Sequence, residues 1–278
     1  MNLADQELRY KNPGTNQDLV IGIKMVSPVS REEMARNLKI NQMRDVSWLK
    51  ECPAHDGVAI ICGAGPSIED TLEEIRGIDG TIFACNSAAH YLLNNGFDVD
   101  YQVMLDPYPV REVDYAPAKH HLLASIVDPK MFEMAQDVTL WQPCMDWIEE
   151  LIRPDCPEFV YIGGGVTVAN SAICIAYTMG YRKFHIFGMD SSFRDNKTHV
   201  KDVPEFGAFY VRVKENGKEY ETAYDMKEQA RVFLGMREYL KSIGCIIKVY
   251  GSGLLPDTVR RIESASDSQT QLLEVNNA

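Results

Sequence analysis

Nowhere in this sequence do 18 apolar residues run together, so no segment reads as a membrane-spanning helix. The opening MNLADQELRYKNPG has neither a basic leader nor an apolar core, which predicts no secretion by the signal-peptide route. Basic charge is also scarce. Lys and Arg number 28 against 40 Asp and Glu, a formal net charge of −12, which argues against a general nucleic-acid surface and points to small-molecule ligands. The seven cysteines (Cys52, Cys62, Cys85, Cys144, Cys156, Cys174 and Cys245) include no CxxC pair, and several sit inside apolar runs. They read as reduced, buried thiols of a cytoplasmic protein, not as a disulfide frame or zinc site. No internal repeat is visible.

What is present is an alternation of short apolar strands with helical patterns. The 278 residues are 45% apolar, enough to bury one large core. The run VAIIC at 58–62 does not alternate, as expected of a parallel strand covered on both faces, and it stops at Gly63-Ala64-Gly65-Pro66-Ser67. Such a turn into a helix lets backbone N–H groups approach a phosphate. It lacks the third glycine of the dinucleotide fingerprint and the Gly-Lys-Ser/Thr of a P-loop, and a tight turn with no ligand is the alternative. Further strands are expected at 81–85, ending on Asn86, and at 101–105, ending on Asp106. Others are read at 121–127, 138–141, 183–188 and 245–250. Strands that end on polar residues fit an open α/β sheet with ligands beyond the carboxyl ends. The expected architecture is therefore a Rossmann-like, mainly parallel sheet with helices on both faces.

Appendages complete this reading. Residues 1–50 form an N-terminal arm and a helix that opens at Ser30 and continues towards Leu49. The arm would pack on the domain or on a second copy of the chain, in a homo-oligomer. Residues 51–257 are the nucleotide-binding domain, and 258–278 read as a mobile tail. Three glycines at 163–165 precede small and apolar residues at helical spacing, which offers either a second anion site or close helix-to-sheet packing. After Asp190 the chain turns polar, with Arg194, Asp195, Lys197, Thr198 and His199. A histidine there could take an alcohol's proton, and a cation could neutralise a leaving phosphate. Residues 208–222 read as a hairpin around Asn216-Gly217, placed to act as a flap. Trp141 and Trp147 read as packing residues, and His185 as a core histidine.

These motifs occur in a familiar order: GAGPSIED at 63–70, ACNSA at 84–88, DYQVMLDP at 100–107, the segment from Gly164 to Asp190, and DNKTH at 195–199. The series resembles the domain shared by motility-associated-factor glycosyltransferases and the MptE-like family, named for the archaeal 6-hydroxymethylpterin diphosphokinase. It is also similar to bacterial sialyltransferases that use CMP-activated sugars, and free-standing copies occur in phage genomes, which would place the protein in the host cytoplasm. The resemblance covers roughly residues 57–255. It lacks the large flanking regions of the flagellin-modifying enzymes and the tyrosine positions of the sialyltransferases.

Carried over, the resemblance implies that Gly63, Gly65, Pro66 and Ser67 cradle the nucleotide, that Asn86 contacts nucleotide or sugar, and that Gly164, Gly165 and Thr167 approach from the second turn. It implies catalytic roles for Asp106, Asp190 and His199, with His199 as base. The implied function is transfer of a sugar from a nucleotide-sugar donor, CMP-type favoured, to a hydroxyl on a small molecule or glycan. An alternative is pyrophosphate transfer from ATP to a pterin-like alcohol, in which Asp106 and Asp190 would hold Mg²⁺. A non-catalytic nucleotide-binding module is the third.

Overall fold

The computed structural model describes residues 6–11, 18–23, 29–111, 114–145, 147–148, 151, 160–165, 167–200, 210–215 and 217–276. Cys156, Val166, Asn216 and the segment 201–209 lie outside them, as do parts of the expected arm.

The chain opens with strands β1 (Gln6–Lys11) and β2 (Asp18–Ile23), an antiparallel pair separate from the main sheet. Helix α1 (Arg31–Asn41) follows, and its N-cap is Ser30, whose hydroxyl accepts from Glu33 N–H. The helix stops at Asn41 rather than running to Leu49. Trp48 belongs instead to β3 (Ser47–Trp48), which closes one end of the sheet beside β8. A two-residue strand is too short to show a period, so its apolar residues were absorbed into the helical pattern.

Strand β4 (Val58–Cys62) leads through a short 3₁₀ turn, Pro66–Asp70, to α2 (Leu72–Arg76). Then come β5 (Thr81–Cys85), α3 (Ala88–Asn94), β6 (Tyr101–Met104), β7 (His120–Ala124), α4 (Met131–Met134), β8 (Val138–Pro143) and β9 (Tyr161–Ile162). The chain continues as α5 (Val168–Thr178), β10 (Lys183–Phe187), β11 (Tyr210–Glu215), β12 (Lys218–Ala223), α6 (Tyr224–Ser242), β13 (Ile246–Val249) and α7 (Leu254–Asn276).

Nine of these strands form one sheet in the order β13-β10-β4-β5-β6-β7-β8-β3, with β9 also on β8, and every pairing is parallel. The unalternating strands are explained by burial on both faces. Ala59 and Ile61 of β4 join one apolar cluster with residues of α5 and α6, while Ile60 and Cys62 join another with Ile75, Ala89 and Leu92 of α2 and α3. The chain runs outward from β4 to β8 and then returns to the other side of β4 as β10. Strand order therefore reverses between β4 and β10, where open α/β sheets bind their ligands.

Polar exceptions inside the sheet have structural work. Gln102 is fully buried; it accepts from Ala116 N–H and donates to the carbonyls of Asn86 and Asp114. Trp141 donates its indole N–H to Leu122 O at 3.1 Å, a packing role as expected. His185 pairs with the Tyr250 hydroxyl at 2.8 Å, a satisfied histidine of the sheet. Of the cysteines, Cys62, Cys85 and Cys245 are buried and Cys174 is half-buried, whereas Cys52 and Cys144 are exposed, contrary to a uniformly buried set.

The C-terminal segment is a helix where a fading apolar pattern suggested a tail. Leu254, Leu255 and Val259 are buried along its first turns. The fully buried Arg237 of α6 reaches Glu263 at 2.5 Å, fixing the two helices together. Asp257 and Arg261 add ion pairs to Lys218 and Glu215 of the hairpin, so the first turns of the helix are held from two sides.

Candidate functional site

The turn at 63–67 and the loop after β10 form one unit. Gly63 N–H donates to Phe187 O and Gly65 N–H to Gly188 O, so the first turn continues the β4–β10 pairing beyond the strands. Ser67, fully buried, donates its backbone N–H to Asp190 Oδ2 at 2.7 Å and its hydroxyl to Asp190 Oδ1 at 2.5 Å. Arg194 forms a two-pronged pair with Asp70, and Val200 N–H donates to Ala64 O. Three separate ties thus hold the loop against the turn.

The turn therefore has few N–H groups left to offer a phosphate. Pro66 has no N–H, and those of Gly63, Gly65 and Ser67 are taken by protein acceptors. The glycines serve close packing: a Cβ at Gly65 would sit 2.7 Å from Gly188 O and 2.8 Å from Asp190 Oδ1. Replacing Gly65 by Val is therefore expected to destabilise the fold by about 1–3 kcal/mol, in the range of other overpacking substitutions. A denaturant midpoint unchanged from the parent would contradict that packing role.

Asp190 is only 4% exposed. Burial pushes its carboxyl up to about 6, against the two Ser67 hydrogen bonds and the Arg194 charge, which favour the anion. A third segment closes on the same node. A Cβ at Gly251 would lie 2.2 Å from Ser67 Oγ, and Leu255 N–H donates to Asp190 O at the start of α7. The GSG spacing at 251–253 was visible in the sequence, but nothing local ties it to a serine nearly two hundred residues earlier.

The polar loop also contains its own tight turn. Arg194 and Lys197 exchange backbone hydrogen bonds around Asp195 and Asn196, which have φ of 51° and 61°. Two central residues at positive φ are what a type I′ turn requires, and Asp and Asn tolerate it. His199 is half-buried beside this unit, its Nδ1 2.6 Å from Thr198 Oγ1.

The second glycine turn is joined to the same loop by a residue that sequence reasoning did not single out. Gln229 of α6 donates to Thr167 Oγ1 at 3.2 Å and accepts from the Ser191 hydroxyl at 3.0 Å. Thr167 is the N-cap of α5, and its side chain makes no capping bond to the helix. Gly164 has φ of +124°, and a Cβ there would meet Ser171 N at 2.4 Å, so this turn too is folded tightly over the helix start. Thr167, Gln229, Ser191, Asp190 and Ser67 thus form a chain linking the two glycine turns.

Asn86 and Asp106 form a further pair at the neighbouring ends of β5 and β6. Asn86 has φ of 48° and donates its amide to Asp106 Oδ2 at 2.5 Å. Asp106 reaches solvent but is surrounded by protein, and this desolvation holds its carboxyl above the ordinary range despite the Asn86 bond. Asp190 spends both oxygens on Ser67, so of the two carboxylates expected to hold Mg²⁺, Asp106 has the better fit and Asp190 the poorer. Among the described residues, no three His, Cys, Asp or Glu side chains gather as a metal cluster.

A cavity of about 560 Å³ opens on the outer side of Asp190. It is bounded by Asp190 and residues 192–196, by β12 and by Ser252 and Gly253. Strand β12 of the β11–β12 hairpin, with Phe193 N–H donating to Glu221 O, thus forms one wall. Asn86, Asp106, Thr167 and His199 do not line this cavity.

A family model described as 6-hydroxymethylpterin diphosphokinase MptE-like matches residues 32–196, more than half of the chain. The chain belongs to the MptE-like family. The match contains both glycine turns, Asn86, Asp106 and Asp190; His199 lies three residues beyond it. Among solved structures, the MptE-like chain is similar to the MAf glycosyltransferase from Magnetospirillum magneticum AMB-1, with a TM-score of 0.58 and 21% identity over 80% of this chain and 38% of that one. The likeness carries the fold, and the MptE-like chain spans well under half the length of that neighbour. No curated protein matches it significantly. The family's name is that of a group-transferring enzyme. No helix among the described residues is long and apolar enough to cross a membrane.

Proposed function

We propose that this protein is a nucleotide-dependent transferase that moves a sugar from a nucleotide-sugar donor, CMP-type favoured, to a hydroxyl of a small molecule or glycan. What supports this reading is that the Asn86–Asp106 pair, the turn before α5 and the loop bearing Asp190 and His199 each follow a strand of one parallel sheet, the last two being joined through Gln229. The anionic end of the donor is assigned to the turn of Gly164, Gly165 and Thr167, where the start of an 11-residue helix has no side-chain cap. Asn86 would contact the nucleotide or sugar, Asp106 would lie near the reacting group, and His199 would take the acceptor's proton. Asp190 orients the loop by bracing the first turn.

The matching family's name favours a second reading, pyrophosphate transfer from ATP to a pterin-like alcohol. Mg²⁺ would then neutralise charge on the phosphates, held by Asp106 together with substrate oxygens and water. Thermal-shift measurements with CMP, UDP, GDP and ATP, each with and without Mg²⁺, separate the readings. CMP-dependent stabilisation without metal is expected. Stabilisation by ATP only with Mg²⁺ would favour the diphosphokinase, and no response to any nucleotide would overturn both.

A further inference from the structure

The 560 Å³ cavity beside Asp190 has the size of a small-ligand site, and its walls are chemically one-sided. Four carboxylates line it, from Asp190, Asp195, Glu219 and Glu221, against two cations, Arg194 and Lys218. Both cations are already committed to partners outside the lining, Arg194 to Asp70 and Lys218 to Asp257 at 2.6 Å. Arg212 offsets part of the acid through Glu221 at 3.1 Å and Glu219 at 3.7 Å, and Arg260 offsets Asp257. Including all four of these outer partners leaves the balance two charges negative. The remaining lining is rich in hydrogen-bonding groups: Ser192, Asn196, Tyr220 and Ser252. The floor is well ordered by its own bonds, with Ser192 Oγ accepting from Leu254 N–H at 3.1 Å and Tyr220 donating its hydroxyl to Asp257 at 2.5 Å.

We infer that this cavity is a binding site for a neutral or amine-bearing polyhydroxy ligand, and that it rejects phosphates and carboxylates. An anion entering it would meet unbalanced carboxylates with no uncommitted cation among the described lining residues, whereas hydroxyl and ammonium donors would find acceptors there. The assignment goes beyond the transferase reading and does not require it: the residues involved are separate from Asn86, Asp106, Thr167 and His199.

The test uses three forms of one methyl pyranoside on the full chain: the neutral glucoside, its 2-amino analogue and its uronic acid, titrated by calorimetry or ligand-observed NMR at low ionic strength. The neutral and amino sugars should bind, and the uronate should be weaker by about 10-fold or more, as expected for two unbalanced charges within several ångströms. The isosteric double variant Asp195→Asn, Glu221→Gln should shrink that discrimination by about 5–10-fold, Asn being suited to the positive φ at 195. Uronate binding as tight as the glucoside in the parent protein, no binding of any of the three, or discrimination unchanged in the double variant would each overturn the inference. Nucleotide stabilisation is scored separately on the same protein, so sugar binding without a nucleotide response leaves this site standing while the transferase reading fails.

Discussion

Replacing Asp190 by alanine is expected to lower the unfolding free energy by about 2–4 kcal/mol, because Ser67 would keep a backbone N–H and a hydroxyl in a fully buried position with no acceptor for either. A loss below about 1 kcal/mol would show that the turn finds other partners. Asp190→Asn separates the hydrogen bond from the charge, since the amide keeps one acceptor and cannot ionise. The carboxyl rises from 3.8 to about 6 on folding. The folded state therefore prefers its protonated form, and the stability contributed is present below about pH 4 and lost as pH rises towards and through 6. Linkage puts the loss at roughly 3 kcal/mol. Denaturant titrations of the parent should show that decline between pH 4 and 7, and the Asn variant should be flat over the same range once other carboxylates are matched.

The second large effect is expected at His199. If it takes the acceptor's proton in the transition state, His199→Ala should reduce turnover by about 10²–10⁴-fold while nucleotide affinity stays within a few-fold. Nδ1 of His199 lies 2.6 Å from Thr198 Oγ1, and this contact orients the ring whichever atom donates, so Thr198→Val should cause a smaller loss of turnover than His199→Ala. Loss of nucleotide binding in His199→Ala with turnover intact at saturation would instead make the residue a phosphate contact. Val200 N–H donates to Ala64 O, which holds the backbone after this histidine beside the first turn.

The legible parts of the fold were those with a local signal. Val58–Cys62 and Lys183–Phe187 read as buried parallel strands because an unalternating apolar run of that length needs two covered faces. Ser30 read as an N-cap and residues 208–222 as a hairpin because capping and turn chemistry act within three or four residues. Trp48 and Leu49 were misplaced because an edge strand of two residues carries no period. The helix at Leu254–Asn276 was missed because its anchor is a buried arginine on another helix.

The candidate site divides along the same line. The amino-acid order by itself determined that polar residues stand at the ends of Thr81–Cys85 and Tyr101–Met104, that glycines punctuate two strand-to-helix turns, and that an acid and a histidine follow the strand at 183–187. Those are properties of neighbours in the chain. Only the tertiary structure decided which groups are spent on one another. It gives both oxygens of Asp190 to Ser67, commits Arg194 to Asp70, and lets Gln229 bridge Thr167 and Ser191. Residues 67 and 190 meet because β4 and β10 are adjacent in the sheet though far apart in sequence, and a hydrogen bond depends on distance in space, which no spacing along the chain encodes.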